Sequence, residues 1–231
     1  MARGTRIALG AVAALLVVFG GAVVVVPPLL FGDGVDYSHA ASIKATHEYQ
    51  DPALLDRAWA LPVAAIYKRD GVDFQGNGSF CGPTSAVNVL RSLGASADQA
   101  HILDGTAEHP HFGMLFGGIT LDQLADVVRE KSGKRVTVLR DLTLEQFRAE
   151  MARANDPALR YIVNFHRGPL FAGGGGHHSP IGGYLAAEDL VLVVDVNKKY
   201  QPWLVPTARL FAAVDTVDKQ TGKKRGLLRI E

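Results

Sequence analysis

Hydrophobic and polar positions follow different patterns in the two halves of the chain. Apolar residues recur at helical spacing in 81–93, which Gly94 ends, and a shorter helical pattern occupies 51–68. Two Thr-x-x-Gln capping boxes, at Thr120 and Thr143, begin two more predicted helices. The first half of the chain is therefore predicted to be mainly helical.

Short runs rich in branched and aromatic residues predict strands, most of them in the second half. These runs cover 134–140, 160–166, 179–186, 190–196, 202–205 and 226–230. Only "AED" separates the runs at 179–186 and 190–196, which predicts a hairpin. Helices followed by strands indicate the α+β class and not a doubly wound α/β sheet.

The N-terminal segment carries an uncharged run from Ile7 to Gly32, preceded by Arg3 and Arg6. A run of this length spans a bilayer, and its positive flank stays in the cytoplasm. We expect a signal anchor that attaches the following domain to the membrane, outside the cytoplasm, in the cell envelope or periplasm. Cleavage near "SHAAS", which would give a secreted domain, and a buried core helix are the alternatives. The expected organisation is a signal anchor at 1–33, a linker at 34–50 and one folded domain at 51–231.

Composition restricts the partners that the chain is expected to bind. Hydrophobic residues make up 48% and charged residues 20%, so the chain can bury a sizeable core. The formal net charge is +1 and no basic block occurs, so nucleic-acid binding is not expected. The single cysteine excludes an intramolecular disulfide and a thiolate zinc cluster.

That cysteine, Cys81, begins a predicted helix shortly after the small residues "GNGS". Free N–H groups and the helix dipole at such a position favour an anion and lower the pKa of a thiol. The small upstream residues allow backbone N–H groups to approach a reacting carbonyl. Cys81 is therefore a candidate nucleophile, with a buried apolar filler as the alternative.

A cysteine nucleophile needs a base and a group that orients the base. The predicted hairpin places His177 within about three residues of direct opposition to Asp195. A carboxylate at the end of an apolar strand is costly without a partner, and a histidine would supply one. A turn residue without further role is the alternative for Asp195. His109 and His111 are a separate pair of candidate metal ligands, but no third ligand is evident.

Four segments, in the correct order, resemble the catalytic domain of phytochelatin synthases, which has a papain-like cysteine peptidase fold. Gln75 precedes Cys81 at the family's spacing, and "GITLDQLADVV" resembles its "GIT" helix. "HRGPLFAGGGGHHSPIGGY" resembles its "HRG" and "GHFSPIGGY", and "VDVNKKYQPWLV" resembles its "LDV" stretch. The resemblance runs from roughly residue 50 to residue 215.

The resemblance implies a papain-like fold, with the nucleophile at a helix N-terminus in the helical first half and an antiparallel sheet in the second. It implies that Cys81 is the nucleophile, that His177 is the base and later the acid, and that Asp195 orients the histidine. Gln75 matches the oxyanion-hole glutamine, which acts with the Cys81 N–H. His178 stands where the family has phenylalanine.

The family acts on glutathione, so the resemblance implies a γ-glutamyl thiol peptide as the substrate. Attack by the thiolate releases glycine and leaves a γ-glutamylcysteinyl thioester, which either water or a second glutathione accepts. Hydrolysis is expected to predominate, because the compact bacterial forms resemble glutathione hydrolases and glutathione is scarcer outside the cytoplasm. A papain-like peptidase for another peptide, and a non-enzymatic envelope protein that binds metal or thiols, are the alternatives.

Substrate contacts are the least defined part of this prediction. Lys198 or Lys199 stands where the family has an arginine after "DV", and these lysines and Gly176 are candidate substrate-binding residues. A lysine does not grip a carboxylate in bidentate fashion as an arginine does. No second cysteine follows before Glu231, so metal sensing by a Cys-rich region is not expected. No tightly bound cofactor and no metal site in the protein are expected; cadmium or zinc is expected as a glutathione thiolate complex or as an activator.

Overall fold

The computed structural model describes residues 35–231. A short 3-10 helix at Ile43–Ala45 is followed by helices α1 (Pro52–Trp59), α2 (Pro62–Asp70), α3 (Cys81–Ser92), α4 (Leu121–Ser132), α5 (Leu144–Arg153), α6 (Gly168–Phe171) and α7 (Thr207–Val214). The strands are β1 (Val136–Leu139), β2 (Arg160–His166), β3 (Gly176–Leu185), β4 (Leu190–Val193), β5 (Trp203–Pro206), β6 (Val217–Asp218), β7 (Lys223–Lys224) and β8 (Gly226–Ile230).

The main sheet has six strands in the order β1-β8-β2-β3-β4-β5, and every neighbouring pair is antiparallel. Strands β6 and β7 form a separate two-stranded ribbon just before β8. The C-terminal strand β8 lies between β1 and β2, so the end of the described chain lies within the sheet. Helices in the first half and an antiparallel sheet in the second confirm the predicted α+β class.

The predicted hairpin is formed by β3 and β4, and its register agrees with the sequence analysis. Leu185 pairs with Leu190 next to the turn, and Tyr184 pairs with Val191. The register shifts by one residue between Gly183 and Ile181, which marks a bulge. The pairing brings the start of β3 to the residues that follow β4, where the predicted His-Asp partnership was expected.

The helix starts follow the sequence signals closely. Both predicted capping boxes are present: Thr120 caps α4 and Thr143 caps α5. In each box a glutamine side-chain oxygen accepts a hydrogen bond from the backbone N–H of the threonine. The helical pattern at 51–68 is divided into two helices, α1 and α2. The division falls before Pro62, which has no N–H to donate to a continuing helix and instead occupies the first turn of α2.

Strand β2 is buried along its whole length because helices cover both faces of the sheet. Ile162 packs in one hydrophobic cluster with residues of α3 and α4, whereas Tyr161 and Val163 pack in another with residues of α5 and α7. Successive side chains of a strand point to opposite faces. The sheet is therefore the middle of three layers, and the consecutive apolar residues at 161–163 reflect burial on both faces.

Part of the segment predicted as a linker packs against this core. Ile43 and Tyr49 are buried in the cluster that contains the α5 and α7 residues. Gln50 Nε2 donates to the carbonyl of Tyr200 at 2.9 Å. The predicted signal anchor at 1–33 lies outside the described residues, and no helix within 35–231 is long and apolar enough to cross a membrane.

Several short elements were not predicted from the sequence. Helix α7 has only two turns and follows β5 directly, so no loop signal separates it from the strand. Helix α6, with four residues, and the ribbon of β6 and β7, with two residues in each strand, are too short to carry a period.

Arg160 joins the end of α3 to the start of β2 and provides a test of this architecture. The side chain is 2% exposed; Nε donates to Ser92 Oγ at 2.8 Å, Nη2 to the Ser92 carbonyl at 2.9 Å, and Nη1 to the Leu159 carbonyl at 2.7 Å. Arg160→Met strips buried acceptors of their donors, so we expect the free energy of unfolding to fall by about 2–4 kcal/mol. Urea unfolding followed by circular dichroism measures this loss. Arg153→Met, at an exposed arginine, is the control and should cost about 0.5 kcal/mol or less; equal losses would contradict the assignment.

Candidate active site

Cys81 is the first residue of α3 and is buried, with 7% of its surface exposed. The preceding residue, Phe80, makes no side-chain capping hydrogen bond to the helix. The positive end of the helix dipole therefore lies at the residue that carries the sulfur, and this position favours a thiolate.

The loop that leads into Cys81 is fastened on two sides. Asn88 of α3 accepts a hydrogen bond from the N–H of Asp73 at 2.9 Å and donates to the carbonyl of the same residue at 3.0 Å. Gln99 accepts from the N–H of Gly76 at 3.0 Å and donates to the Phe74 carbonyl at 2.9 Å. The loop, which the sequence predicted from its small residues, is therefore held in one course next to the thiol.

The glycine after the cysteine is required by close packing. A Cβ atom on Gly82 would lie 2.2 Å from Ile119 Cγ2 and 3.6 Å from His178 Nδ1. The first turn of α3 can therefore approach Ile119 and the start of β3 only because this position has no side chain. Cys81 comes within contact of β3 as a consequence.

His177 lies at the start of β3 and bonds to a carboxylate from beyond β4. Its Nε2 is 3.0 Å from Asp195 Oδ1, as the predicted partnership requires. Phe165, the cross-strand partner of His177 on β2, meets the imidazole ring edge-on with 5.5 Å between ring centres. The carboxylate accepts a hydrogen bond from Nε2–H, so the proton of the neutral ring lies on Nε2 and Nδ1 is the basic nitrogen.

Asp195 is fully buried and accepts hydrogen bonds from several donors besides His177. Arg167 Nη2 lies 3.0 Å and 2.9 Å from the two carboxylate oxygens, Trp203 Nε1 donates at 2.9 Å, and the N–H of Asn197 donates at 2.9 Å. Burial acts to raise the pKa of Asp195, but the charge and hydrogen bond of His177, the charge of Arg167 and the hydrogen bond of Trp203 hold that pKa well below its usual range. The carboxylate is therefore ionised and rigidly placed.

The next residue along the strand, His178, contacts the Cys81 sulfur. His178 Nδ1 is 3.9 Å from Cys81 Sγ, and His178 Nε2 is 2.9 Å from Asn164 Nδ2. Asn164 is the cross-strand partner of His178 on β2, and its Oδ1 accepts from Arg225 Nη1 at 3.3 Å. Adjacent positions of β3 thus carry one imidazole that contacts the thiol and one that bonds to Asp195.

The electrostatics of the thiol and of His177 are coupled. Burial disfavours the thiolate of Cys81, but the charge and hydrogen bond of His177, followed by the hydrogen bond of His178, hold the pKa of the thiol well below its ordinary value. Burial and the Arg167 charge oppose protonation of His177, yet Asp195 and Cys81 outweigh them and raise the pKa of His177. Both shifts favour a thiolate next to an imidazolium.

Gln75, the predicted oxyanion donor, lies in the fastened loop. Its N–H donates to the carbonyl of Val196 at 2.8 Å, which ties this loop to the residue after Asp195. Its side-chain Nε2 donates to the Asn77 carbonyl at 2.7 Å, while Oε1 is buried without a hydrogen-bond partner. One amide hydrogen is engaged within the loop, and the second remains to serve a ligand.

The predicted substrate-binding residues occupy different places. Lys198 and Lys199 are exposed, and Lys199 lines a surface pocket with Lys44 and Tyr200 that Cys81 does not line. Gly176 directly precedes His177, and a Cβ there would lie 2.4 Å from Arg225 Nη1. The lack of a side chain at Gly176 therefore makes room for the Arg225 guanidinium.

The histidines singled out as metal ligands lie apart from this site. His109 and His111 are exposed, and His109 lines a surface pocket with Gln99 and Asp104. Among the residues that the structure describes, no group of three or more His, Cys, Asp or Glu side chains is arranged to hold a metal ion.

Sequence reasoning missed three residues that hold the site together: Arg167, Trp203 and Asn164. Arg167 had a detectable signal, since a charged residue that directly follows the apolar run of β2 has to meet a counter-charge. Its guanidinium also lies 3.8 Å from the ring centre of Tyr200, so it is stacked as well as paired. Trp203 and Asn164 carried no such signal, because their partners come from other strands.

A thiol of lowered pKa, next to a histidine that is bonded to a buried carboxylate, is the arrangement of cysteine-nucleophile enzymes. The family model described as phytochelatin synthase matches residues 53–227, about three-quarters of the chain. The chain belongs to the phytochelatin synthase family.

Similar proteins include a "Glutathione gamma-glutamylcysteinyltransferase 3" from Lotus japonicus, 39% identical over 117 residues, which cover 49% of this chain and 24% of that protein. A "Glutathione gamma-glutamylcysteinyltransferase 2" from Arabidopsis thaliana is 32% identical over 169 residues, covering 68% of this chain and 37% of that protein. The chain thus spans well under half the length of these relatives. Among solved structures, a putative C39-like peptidase from Bacillus anthracis is 14% identical with a TM-score of 0.49, covering 70% of this chain and 94% of that chain.

Because the sequence holds one cysteine, alkylation by iodoacetamide reports on Cys81 alone. The lowered pKa of the thiol predicts alkylation that stays fast below the ordinary thiol pKa and slows only as acid protonates the thiolate. His177→Ala removes the largest charge that favours the thiolate, so the acid limb of the rate profile should move to higher pH. The alkylation rate at pH 6 should fall to about one-tenth or less of that of the unaltered protein. Mass spectrometry of the alkylated chain gives the rates. His101→Ala, at an exposed histidine, is the control and should leave the profile unchanged; a His177→Ala profile equal to that of the unaltered protein would refute the coupling.

Proposed function

We propose that the chain is a cysteine acyl-transfer enzyme that cleaves the Cys-Gly bond of glutathione through a γ-glutamylcysteinyl thioester. The names of its relatives describe the transfer of a γ-glutamylcysteinyl group from glutathione, which supports this proposal. The observation that carries the proposal is the placement of Cys81, which is buried at the start of α3, 3.9 Å from His178 on β3, where the adjacent His177 is bonded to Asp195 at 3.0 Å. In this proposal Cys81 is the nucleophile, His177 the acid and base, and Asp195 the orienting group.

In the acylation step, the Cys81 thiolate attacks the carbonyl carbon of the cysteine residue of glutathione. The carbon–sulfur bond forms, and the carbonyl oxygen carries the negative charge of the tetrahedral intermediate. His177 then gives its proton to the glycine nitrogen, the carbon–nitrogen bond breaks, and glycine leaves. Asp195 keeps the imidazole ring oriented throughout, because its Oδ1 accepts the hydrogen bond of His177 Nε2 at 3.0 Å.

In the second step, the neutral His177 takes a proton from the incoming nucleophile. Water gives γ-glutamylcysteine, and the amino group of a second glutathione gives a longer γ-glutamylcysteinyl peptide. In both cases the carbon–sulfur bond breaks, and the thiolate–imidazolium pair is restored.

The oxyanion of both intermediates is assigned to two donors, the Cys81 N–H and the second amide hydrogen of Gln75. Support comes from the fastened position of Gln75, whose backbone N–H bonds to Val196 and whose Nε2 bonds to Asn77. Loss of one such donor typically lowers kcat by about 10²- to 10³-fold.

Hydrolysis is proposed as the main outcome at low glutathione concentration. The concentration of water is fixed, whereas the rate of transfer rises with the concentration of the accepting glutathione. Lys198 and Lys199 are point charges at the surface, in contrast to a buried guanidinium fork that would hold an acceptor carboxylate in one orientation. Cadmium or zinc would enter as a metal–glutathione thiolate complex, that is, as part of the substrate.

We also propose that the chain is anchored in the cell envelope through residues 1–33. The support is the uncharged run from Ile7 to Gly32 behind Arg3 and Arg6. Membrane fractions should retain the full chain after washing with carbonate, and replacement of Val17 and Val18 by aspartate should release it. Recovery of the unaltered chain in the supernatant at full length would rule out the anchor, and a shortened product there would favour cleavage.

Incubation of the full chain with glutathione, followed by mass spectrometry of the products, tests the proposed reaction. Free glycine and γ-glutamylcysteine should accumulate, and the fraction of longer peptides should rise with the glutathione concentration. The same products are measured with and without Cd²⁺ or Zn²⁺. Cys81→Ser and His177→Ala should each lower the rate by about 10³-fold or more, whereas His109→Ala, at an exposed histidine, should leave it unchanged. If glutathione is inert while a longer peptide is cleaved, the peptidase alternative is correct and the glutathione proposal is wrong.

A further inference from the structure

Asn164 has an amide orientation that its neighbours determine. Its Nδ2 is 3.3 Å from the carbonyl oxygen of His177, which can only accept, and its Oδ1 is 3.3 Å from Arg225 Nη1, which can only donate. The reversed amide would place two acceptors together at one end and two donors together at the other. Asn164 therefore presents an N–H group to His178 Nε2, at 2.9 Å.

An N–H group at Nε2 determines which nitrogen of His178 carries the proton. Nε2 has to accept, so the proton lies on Nδ1, and Nδ1 faces Cys81 Sγ at 3.9 Å. His177 has the opposite arrangement, because its Nε2 gives its proton to the Asp195 carboxylate. The Nε2 atoms of the two adjacent imidazoles thus have different partners. That of His178 meets a donor, Asn164, and that of His177 meets an acceptor, Asp195.

We propose that His177 and His178 are held in opposite tautomers, so that His177 acts as the base while His178 is a catalytic hydrogen-bond donor to the Cys81 thiolate. This proposal deepens the proposed function and rests on the role of Cys81 as the nucleophile. The donor acts whenever the sulfur carries negative charge: in the resting thiolate, and again when the thioester intermediate collapses and the thiolate departs.

The alternative is a Cys81–His178–Asn164 relay in which His178 is the base. It requires a proton on His178 Nε2 donated to the Asn164 oxygen, with a bare Nδ1 toward the sulfur. That oxygen already accepts from Arg225, and the amide nitrogen lies within reach of the His177 carbonyl. The relay would therefore break three hydrogen bonds of Asn164, those with His177, His178 and Arg225, and make one.

The charged groups around His178 are few and identifiable. Cys81 faces it from α3, and His177, paired with Asp195, adjoins it on β3. Arg225 donates to Asn164, and its guanidinium also lies 3.7 Å from Asp218. These neighbours are unchanged in a variant at position 178. A shift in the pH dependence of the thiol in that variant therefore reports on the His178 side chain.

The first test reads the tautomers directly. Two-bond ¹H–¹⁵N spectra of the full chain, with His177→Gln and His178→Gln variants for assignment, should show a protonated Nδ1 for His178 and a protonated Nε2 for His177 when the thiol is alkylated. Alkylation holds the sulfur neutral during the measurement, so that His177 is not required to be an imidazolium. A protonated Nε2 on His178 would overturn the proposal.

The second test uses a matched pair of substitutions at position 178. The side-chain nitrogen of asparagine superposes on Nδ1 of histidine and that of glutamine on Nε2, so His178→Asn keeps a donor toward the sulfur and His178→Gln does not. The acid limb of Cys81 alkylation should move to higher pH in His178→Gln, with rates on that limb about tenfold lower. His178→Asn should lie closer to the unaltered protein, and His178→Phe, the family residue, should resemble His178→Gln.

The outcomes separate this proposal from the proposed function. Equal shifts in His178→Asn and His178→Gln, or no shift in either, would show that His178 is only structural, whatever the glutathione assay gives. Thermal unfolding checks that each variant is folded, and if one is not, the tautomer spectra of the histidine-containing protein decide. If the alkylation shifts are as predicted but glutathione is not cleaved, the role of His178 stands and only the assignment of glutathione as the substrate is wrong.

Discussion

The site depends on a buried carboxylate that cannot remain buried without its donors. Asp195 accepts from His177, Arg167, Trp203 and the N–H of Asn197, and these residues belong to different strands or to the loops that follow them. An isolated carboxylate in the interior would cost far more free energy than the fold has to spare, so the strands assemble with these donors in place. The same hydrogen bonds that make the burial tolerable also orient the imidazole of His177.

A second constraint brings the thiol to that imidazole. The start of α3 lies against the sheet because Gly82 leaves no Cβ to meet Ile119, and Asn88 and Gln99 hold the loop that leads into Cys81. Neither constraint suffices alone. The carboxylate orients a base that would have no nucleophile, and the helix start presents a thiol that burial alone would keep protonated.

Adjacent residues of a strand normally serve opposite faces of a sheet, and β3 uses this alternation at its first two histidines. His177 pairs with Phe165 and turns to Asp195, whereas His178 pairs with Asn164. His178 Nδ1 lies 3.9 Å from Cys81 Sγ, and the charge and hydrogen bond of His177 lower the pKa of the same thiol. One sulfur is thereby exposed to two imidazoles whose hydrogen-bond partners differ in kind.

Local sequence determined much of this protein. The capping boxes at Thr120 and Thr143, the strand at 160–166 and the register of the β3–β4 hairpin follow from side-chain chemistry within a few residues, and the structure agrees with each. The pairing of His177 with Asp195 followed from that register together with the cost of an unpartnered carboxylate. Tertiary structure alone decided the partners that are far apart in sequence. Arg167 and Trp203 reach Asp195, and Asn164 reaches His178, through the order of strands in the sheet, which no local period encodes. The sequence shows which groups have to find partners, and only the packing of the strands decides which partners they find.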